Sequence, residues 1–349
     1  MGLKVVEVAE SDLQVWDDYI HRRSDSTFTD TSAWRKIIKD VYNLDQYWFL
    51  VKSEHDVLGC MALTLANHTI FGRYLATAPF GSYGGFYSET EEAYVLLIKT
   101  AEELKVSLRA DYLLIRKYDR EEVFPDQWKK DSSYSSFMVK IHDTPEDYRN
   151  KIISRKTRAC IKKCETDGFF IAYGHRELLD DFWKVVVKAM KDLGSPYHSY
   201  HYLETILNTF GSKVIINIIY SKEHIPCAAG LGIKHNDQVD WLYGPKLDQY
   251  RSFNIGEMLY WSFIRKTYDE GFRIVNLGRS VKDSGNDHFK QKWRPIRDEL
   301  AYWYFIPEKK DIPHVNQFNR KYRLAISTWR RTPIWLQNKI GPKIISGIL

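Results

Sequence analysis

The stretch SVKDSGNDHFKQKWRP, residues 280–295, sets Phe289 against Lys290 after a polar, glycine-containing run, with Lys292, Trp293 and Arg294 just behind. A lysine fixed at such a point in a dry cleft can stabilise a developing oxyanion or a phosphate. The competing reading makes Phe289 and Trp293 core anchors and leaves Lys290 on the surface. Residues 150–163, NKIISRKTRACIKK, hold six cations. Among them Lys151, Arg155, Arg158 and Lys162 are spaced 4, 3 and 4 apart, which on one helix makes a single stripe. No acid is interleaved, and each like-charged pair costs roughly a few tenths of a kcal/mol. The stripe therefore fits an anionic counterpart, whether phosphate, diphosphate or polynucleotide, as well as it fits a solvated face. In TAPFGSYGGFY, 77–87, Gly84-Gly85 beside Tyr83 lets backbone approach a ligand closely, or simply forms a turn or bulge. It is no phosphate loop, having neither GxGxxG order nor a following Lys-Ser/Thr.

Other chemistries find little support. No Ser-His-Asp or Cys-His order can be assigned, and His198 and His201 lack the further ligands a metal pair would need. Cys60, Cys160, Cys164 and Cys227 have no framework spacing and read as free, mostly packed thiols in a reducing compartment.

Two segments position these residues, and they follow one pattern. The first runs YWFLVKSEHDVLGCMALTL, GRYLATAPFGSYGGFY, EEAYVLLIKTAEEL, DYLLIRKY; the second runs VIINIIYSKEHIPCAAGLGIK, QVDWLYGPKLDQY, IGEMLYWSFIRKTYDEG, FRIVNLGR. Each reads as strand, tight turn with Glu-His, strand, strand, loop, amphipathic helix, strand, which is the signature of an internal duplication. Apolar residues recur on one face in 89–104 and again in 177–193, so both read as helices. Gly271 stands where a left-handed helix cap is wanted. The closing strands of the repeats are short apolar runs suited to a covered position in a sheet.

With 349 residues, 44% hydrophobic, 28% charged and 15% aromatic, the chain has room for one large or two ordinary domains and is far from a disordered composition. There is no secretory leader pattern at the start and no apolar run long enough to span a bilayer. The net charge of +6 is concentrated. After Asp311 there is no carboxylate but seven cations, leaving 44 basic against 45 acidic residues elsewhere. The segment RLAISTWRRTPIWLQNKIGPKIISGIL mixes tryptophans and isoleucines with Arg and Lys, as a helix on an anionic membrane surface would, with Pro333 and Pro342 breaking it; the alternative is that it simply packs on the body.

Five segments carry a resemblance: FTDTSAWRKII, PFGSYGGFY, SRKTRACIKKCETDGF, FRIVNLGRSVKDSGNDHFKQKW and YRLAISTWRRTPIWLQNKIGP. They occur in the order seen in the FemAB-like proteins, tandem GNAT-fold transferases of the bacterial cell envelope, and the chain resembles that family over nearly its whole length. The most specific piece is the Gly-Arg-Ser strand end followed by Phe-Lys-x-x-Trp. The resemblance implies an α/β (α+β) fold of two tandem GNAT-like domains, each a twisted mixed sheet flanked by helices, with a cleft between them. The divisions expected are 1–149, 150–312 and a basic amphipathic tail, 313–349.

It also implies an acyl- or aminoacyl-transferase acting on an amine or hydroxyl of a peptidoglycan or exopolysaccharide precursor, nucleotide- or lipid-linked. Neither a metal nor a covalent nucleophile is required, since an amine can attack an activated carbonyl directly. The transfer centre falls on Phe289 and Lys290 as catalytic candidates. Lys36, Tyr83, Arg155, Arg158, Lys162 and Arg279 are the substrate- or phosphate-binding candidates. The co-substrate is acyl-CoA or aminoacyl-tRNA, with no tightly bound cofactor and with tRNA as a partner in the second case. Two departures stand out: the charged helical arm of some Fem ligases is absent, and YRSFNIGEML does not fit the usual acetyl-CoA loop. The alternative is a non-catalytic GNAT-fold protein that binds a nucleotide- or lipid-linked sugar. Either way the expected location is cytoplasmic, peripheral at the inner face of the membrane through 314–349.

Overall fold

The computed structural model describes residues 2–120, 124–313 and 320–349. By contacts the chain forms two compact units: Met1–Ser135 with Asp298–His314 and Ser346–Leu349, and Ser136–Arg297 with Val315–Ile345. Each unit contains one of the two sequence repeats, whereas the divisions at 149/150 and 312/313 follow repeat order along the chain.

The first unit opens with β1 (Lys4–Glu7), α1 (Leu13–His21), α2 (Ser32–Tyr42), β2 (Gln46–Lys52), β3 (Val57–His68) and β4 (Gly72–Ala76). It continues with β5 (Phe86–Ser88), α3 (Glu91–Ser107), β6 (Tyr112–Tyr118) and the start of β7 (Trp128–Lys140). The second unit holds α4 (Pro145–Asp147), α5 (Arg155–Thr166), β8 (Phe170–Gly174), α6 (Leu179–Leu193), α7 (Tyr200–Phe210), β9 (Val214–Tyr220) and β10 (Pro226–His235). Then come β11 (Gln238–Tyr243), α8 (Ile255–Asp269), β12 (Ile274–Val281) and α9 (Gly285–Gln291). Most of β13 (Ile296–Phe305) returns to the first unit, and α10 (Arg320–Arg331) and α11 (Ile334–Ile345) belong to the second.

The strand order in the first unit is β1-β2-β3-β4-β6-β13, with β5 on β3; in the second it is β12-β11-β10-β9-β8. The duplication is visible in the pairing. In the first unit β2-β3 and β3-β4 are antiparallel and β4-β6 is parallel. In the second, β9-β10 and β10-β11 are antiparallel and β11-β12 is parallel. The parallel connection needs a crossover helix, which α3 supplies in one unit and α8 in the other.

Local sequence explains the helices. Thr90 caps α3, accepting from Ala93 N at 3.2 Å, Glu91 and Glu92 fill its first turn, and Ala93, Leu97, Ile98 and Ala101 form its buried face. Residues 179–193 form α6, which ends at left-handed Gly194, and Gly271 is likewise left-handed after α8. The first core gathers Met61, Leu63, Leu75, Leu97, Leu113 and Ile115; the second gathers Phe137, Val139, Trp261, Phe263, Val275 and Trp293.

The cationic stripe is interrupted. Ser154 caps α5, accepting from Thr157 N at 3.1 Å, and Ile153 before it is extended, so Lys151 sits on a separate turn. There it pairs with Asp147 at 2.8 Å. The capping preference of Ser154 wins over the continuous cation spacing. In the C-terminal segment, residues 314–319 lie outside the described residues. Pro333 does separate α10 from α11, but Pro342 is accommodated inside α11.

Candidate functional site

In the second unit β11 and β12 pair for three residues, Gln238–Asp240 against Ile274–Asn276; the ladder stops there although the strands run on to Tyr243 and Val281. Buried backbone groups beyond that point need other partners. Lys290 is one of them. Its Nζ donates to the carbonyls of Gly278 at 3.2 Å and Arg279 at 2.7 Å. Carbonyls of neighbouring residues in a flat strand point to opposite sides. Gly278, at φ +68°, breaks that alternation, so both can face one amine.

A buried polar chain fixes this bend. Asp240 Oδ1 accepts from Gln238 Nε2 at 2.9 Å and from Asn276 Nδ2 at 2.8 Å, and Asn276 Oδ1 accepts from Gly278 N at 3.0 Å. Ser280, two residues on, has a buried hydroxyl with no hydrogen-bond partner among the described residues.

Lys290 is 7% exposed and its ammonium lies 5.3 Å from the centre of the Phe137 ring. Burial, with Arg279 adding to it and Asp287 opposing, brings its pKa down to about 7. The competing expectation that Lys290 lies on the surface is therefore corrected: it is buried and hydrogen-bonded. Trp293 is fully buried, as a core anchor should be.

The polar, glycine-containing run becomes helix from Gly285. Ser284 caps α9, accepting from Asp287 N at 3.2 Å, and the buried Asp287 carboxylate accepts from Asp283 N at 2.8 Å, from Gln291 Nε2 and from Arg297 at 3.3 Å. Burial works against that charge, but these donors outweigh it and hold Asp287 below the usual carboxylate range. The signal was present in the sequence, since Ser284 and Asp287 have capping-box spacing.

Phe289 is half-buried and packs edge-on against Tyr260 at 5.0 Å. The Lys246 and Lys292 ammoniums lie 4.2 and 4.7 Å from its ring centre, and Lys292 pairs with Glu257 at 2.8 Å. A Cβ on Gly256, in the first turn of α8, would come within 3.1 Å of Lys246 Nζ and 3.2 Å of Phe289. Two cations, the Glu257 carboxylate, an aromatic ring and the amino end of a 15-residue helix thus meet at one place, a net positive combination suited to an anionic group. Lys292 stood in the quoted stretch without a role, whereas Lys246 and Glu257 were not found from sequence, because they come from separated segments and show no local pattern.

The remaining candidates are dispersed. Arg279 is half-buried beside Lys290, and Arg155 and Lys162 are exposed on α5. Arg158 donates to the carbonyls of Asn150 at 2.8 Å and Ile153 at 2.7 Å, closing the preceding turn. Lys36, in the first unit, is exposed and pairs with Asp40 at 2.7 Å on its own helix. Tyr83, also in the first unit, is buried with its ring 4.3 Å from that of Tyr118. His198 stacks on Tyr202 at 4.2 Å, and no group of three or more His, Cys, Asp or Glu among the described residues is arranged to hold a metal.

Residues 153–291 match the acetyltransferase (GNAT) domain family, a span that contains α5, the second repeat and the Phe289-Lys290 pair. No curated protein matches the sequence. Among solved structures the chain is similar to FemX, at 13% identity and TM-score 0.63, covering 87% of this chain and 97% of that one. It is similar to a tandem GNAT protein from the clavulanic acid biosynthesis pathway, at 10% identity and TM-score 0.60, covering 89% and 100%. It is also similar to L-PGS from Bacillus licheniformis, at 14% identity and TM-score 0.57, covering 93% and 97%. Residues 153–291 thus match a GNAT domain, and the chain has the fold of tandem GNAT proteins.

Proposed function

We propose that the protein is a GNAT-superfamily transferase that moves an activated acyl or aminoacyl group onto an amine or hydroxyl of a cell-envelope precursor, with the transfer centre at Phe289 and Lys290. The observation that carries this reading is the Lys290 ammonium held at the point where β11 and β12 cease to pair. Attack of an amine on an activated carbonyl puts negative charge on the carbonyl oxygen. An ammonium already drawn to two neutral carbonyl oxygens binds a charged oxygen more strongly, which favours the transition state over the ground state.

Arg279 beside it and the Lys246–Phe289–Lys292 group support contact with an anionic part of a donor or acceptor, acyl-CoA or a nucleotide- or lipid-linked precursor. Arg155 and Lys162 are exposed and open to the same kind of contact, and Lys36, Tyr83 and Arg158 complete the proposed set. No helix among the described residues is long and apolar enough to cross a membrane. The carboxylate-free segment 314–349 supports peripheral contact with an anionic surface.

The test is a transfer assay offering acyl-CoA and aminoacyl-tRNA in parallel against a nucleotide-linked envelope precursor. Lys290→Ala is expected to lower kcat by about 10² to 10³-fold, the usual effect of removing one oxyanion donor. An unchanged kcat in a folded variant removes Lys290 from the mechanism. A second reading, favoured by the commitment of Lys290 to backbone carbonyls, is a binding protein for a nucleotide- or lipid-linked sugar. Tight sugar-nucleotide binding with no transfer from either donor selects it.

A further inference from the structure

The duplication places a counterpart of the Lys290 site in the first unit. There β4 and β6 pair for three residues, Tyr74–Ala76 against Tyr112–Leu114, while β6 runs on to Tyr118. That is the ladder length after which β11 and β12 part in the second unit. A buried cation again gathers successive main-chain carbonyls beyond the stop. Arg116 Nη1 donates to the carbonyls of Thr77 at 3.1 Å and Ala78 at 3.0 Å, and Ala78 stands at φ +47°. L-residues rarely adopt that backbone, so the bend is held by its surroundings.

What differs is a further partner of the cation. Arg116 Nη2 donates to Leu349 O. Tyr74, on β4, adds two bonds to the same segment: its hydroxyl donates to Gly347 O and accepts from Leu349 N, both at 3.0 Å. Residues 346–349, which follow α11, belong by contacts to this first unit. Each of these bonds goes to a main-chain atom of the segment, so the contact depends little on its side chains. Two limits remain. Leu349 is buried, and a Cβ on Gly347 would stand 2.9 Å from Asn67 O and from His68 Cβ.

We propose that the parting of β4 and β6 is a peptide-binding site, which residues 347–349 occupy as a tethered, displaceable ligand. The class of ligand is a short peptide with a glycine two residues before an apolar residue. It offers its main chain to Tyr74 and one oxygen to Arg116. Tethering sets how the site answers a competitor. A segment joined to α11 acts at an effective concentration on the order of millimolar, so a free peptide competes poorly until the segment is released.

The experiment measures fluorescence anisotropy of a labelled Ser-Gly-Ile-Leu peptide with the full chain and with Gly347→Val, whose added side chain collides with Asn67 O. Saturable binding to Gly347→Val is expected, at least about 10-fold tighter than to the parent chain. Adding Tyr74→Phe should weaken it by at least about 10-fold, since both bonds at that hydroxyl are lost, and adding Lys290→Met should change nothing. Tighter binding of the peptide acid than of its amide puts a carboxylate at Arg116, and equal binding puts a carbonyl there; either supports the site. Hydrogen exchange in the parent chain keeps the test valid if Gly347→Val does not fold. Excess unlabelled peptide should speed exchange at Leu349 N, whose place on Tyr74 the peptide then takes. Three results overturn the proposal: no binding to folded Gly347→Val or binding equal to that of the parent, binding undiminished by Tyr74→Phe, or exchange at Leu349 indifferent to the peptide. The transfer assay on Lys290 is read separately, because the two sites share no residue.

Discussion

At the scale of single residues, Lys290 shows how far side-chain type carries and where it stops. Its type and its aromatic neighbour were legible; its burial was not, because the carbonyls that hold it come from β12 and the ring above it from β7. The lowered pKa gives two separable outcomes. If the ammonium is the working form, kcat falls as pH rises through about 7, whereas a general base would make it rise. For stability, the folded chain binds fewer protons at this site than the unfolded chain between about 7 and 10.5. That contribution to stability therefore increases as pH rises across the window. Urea denaturation from pH 6 to 9 should show a shallower pH dependence in Lys290→Met than in the parent chain, with the variant gaining most at the acid end.

At the scale of elements, periodicity found what periodicity can report. Residues 89–104 and 177–193 gave α3 and α6, and the repeated order of strands and helix gave two matching pairing schemes. The misses have physical causes. The seven-residue α9 is too short for its apolar spacing to stand out, and its start rests on one capping serine. The cation spacing around α5 looked continuous because charge spacing does not register the extended residue before Ser154. Gly278 is the element-scale hinge of the site. Gly278→Ala should cost about 1–2 kcal/mol from its left-handed backbone alone. It should also lower kcat, because the two carbonyls no longer converge on Lys290. Thermal melts and transfer assays on the same preparation check both; full activity in a destabilised variant would separate the bend from the chemistry.

At the scale of the whole molecule, the duplication was readable from one sequence because two runs of five elements agree in order. The return of most of β13 to the first unit was not readable, since an apolar strand does not announce which sheet it will join. The basic segment after Asp311 proves to be two-faced. Trp329 and Gln337 are buried, Tyr197 Oη donates to Asn338 Oδ1 at 2.7 Å, and α10 packs on α6. Yet Leu324 is 72% exposed and Trp335 68% exposed. Packing and surface contact thus use different residues of the same helices. The paired variant Leu324→Glu with Trp335→Glu should fold normally and lose flotation with phosphatidylglycerol vesicles. Equal flotation of variant and parent would leave this segment a packing element only.

The hydrogen bonds of Lys290 have a consequence for self-damage. An amine with a pKa of about 7 is largely unprotonated at pH 8, and an unprotonated amine attacks activated acyl groups. In a protein proposed to handle such groups, it would be the first target of its own donor. Burial and two backbone acceptors turn that nitrogen away from solution. If the proposed transfer holds, the bend at Gly278 guards against self-acylation as well as anchoring charge, and loosening it exposes Lys290 to acylation.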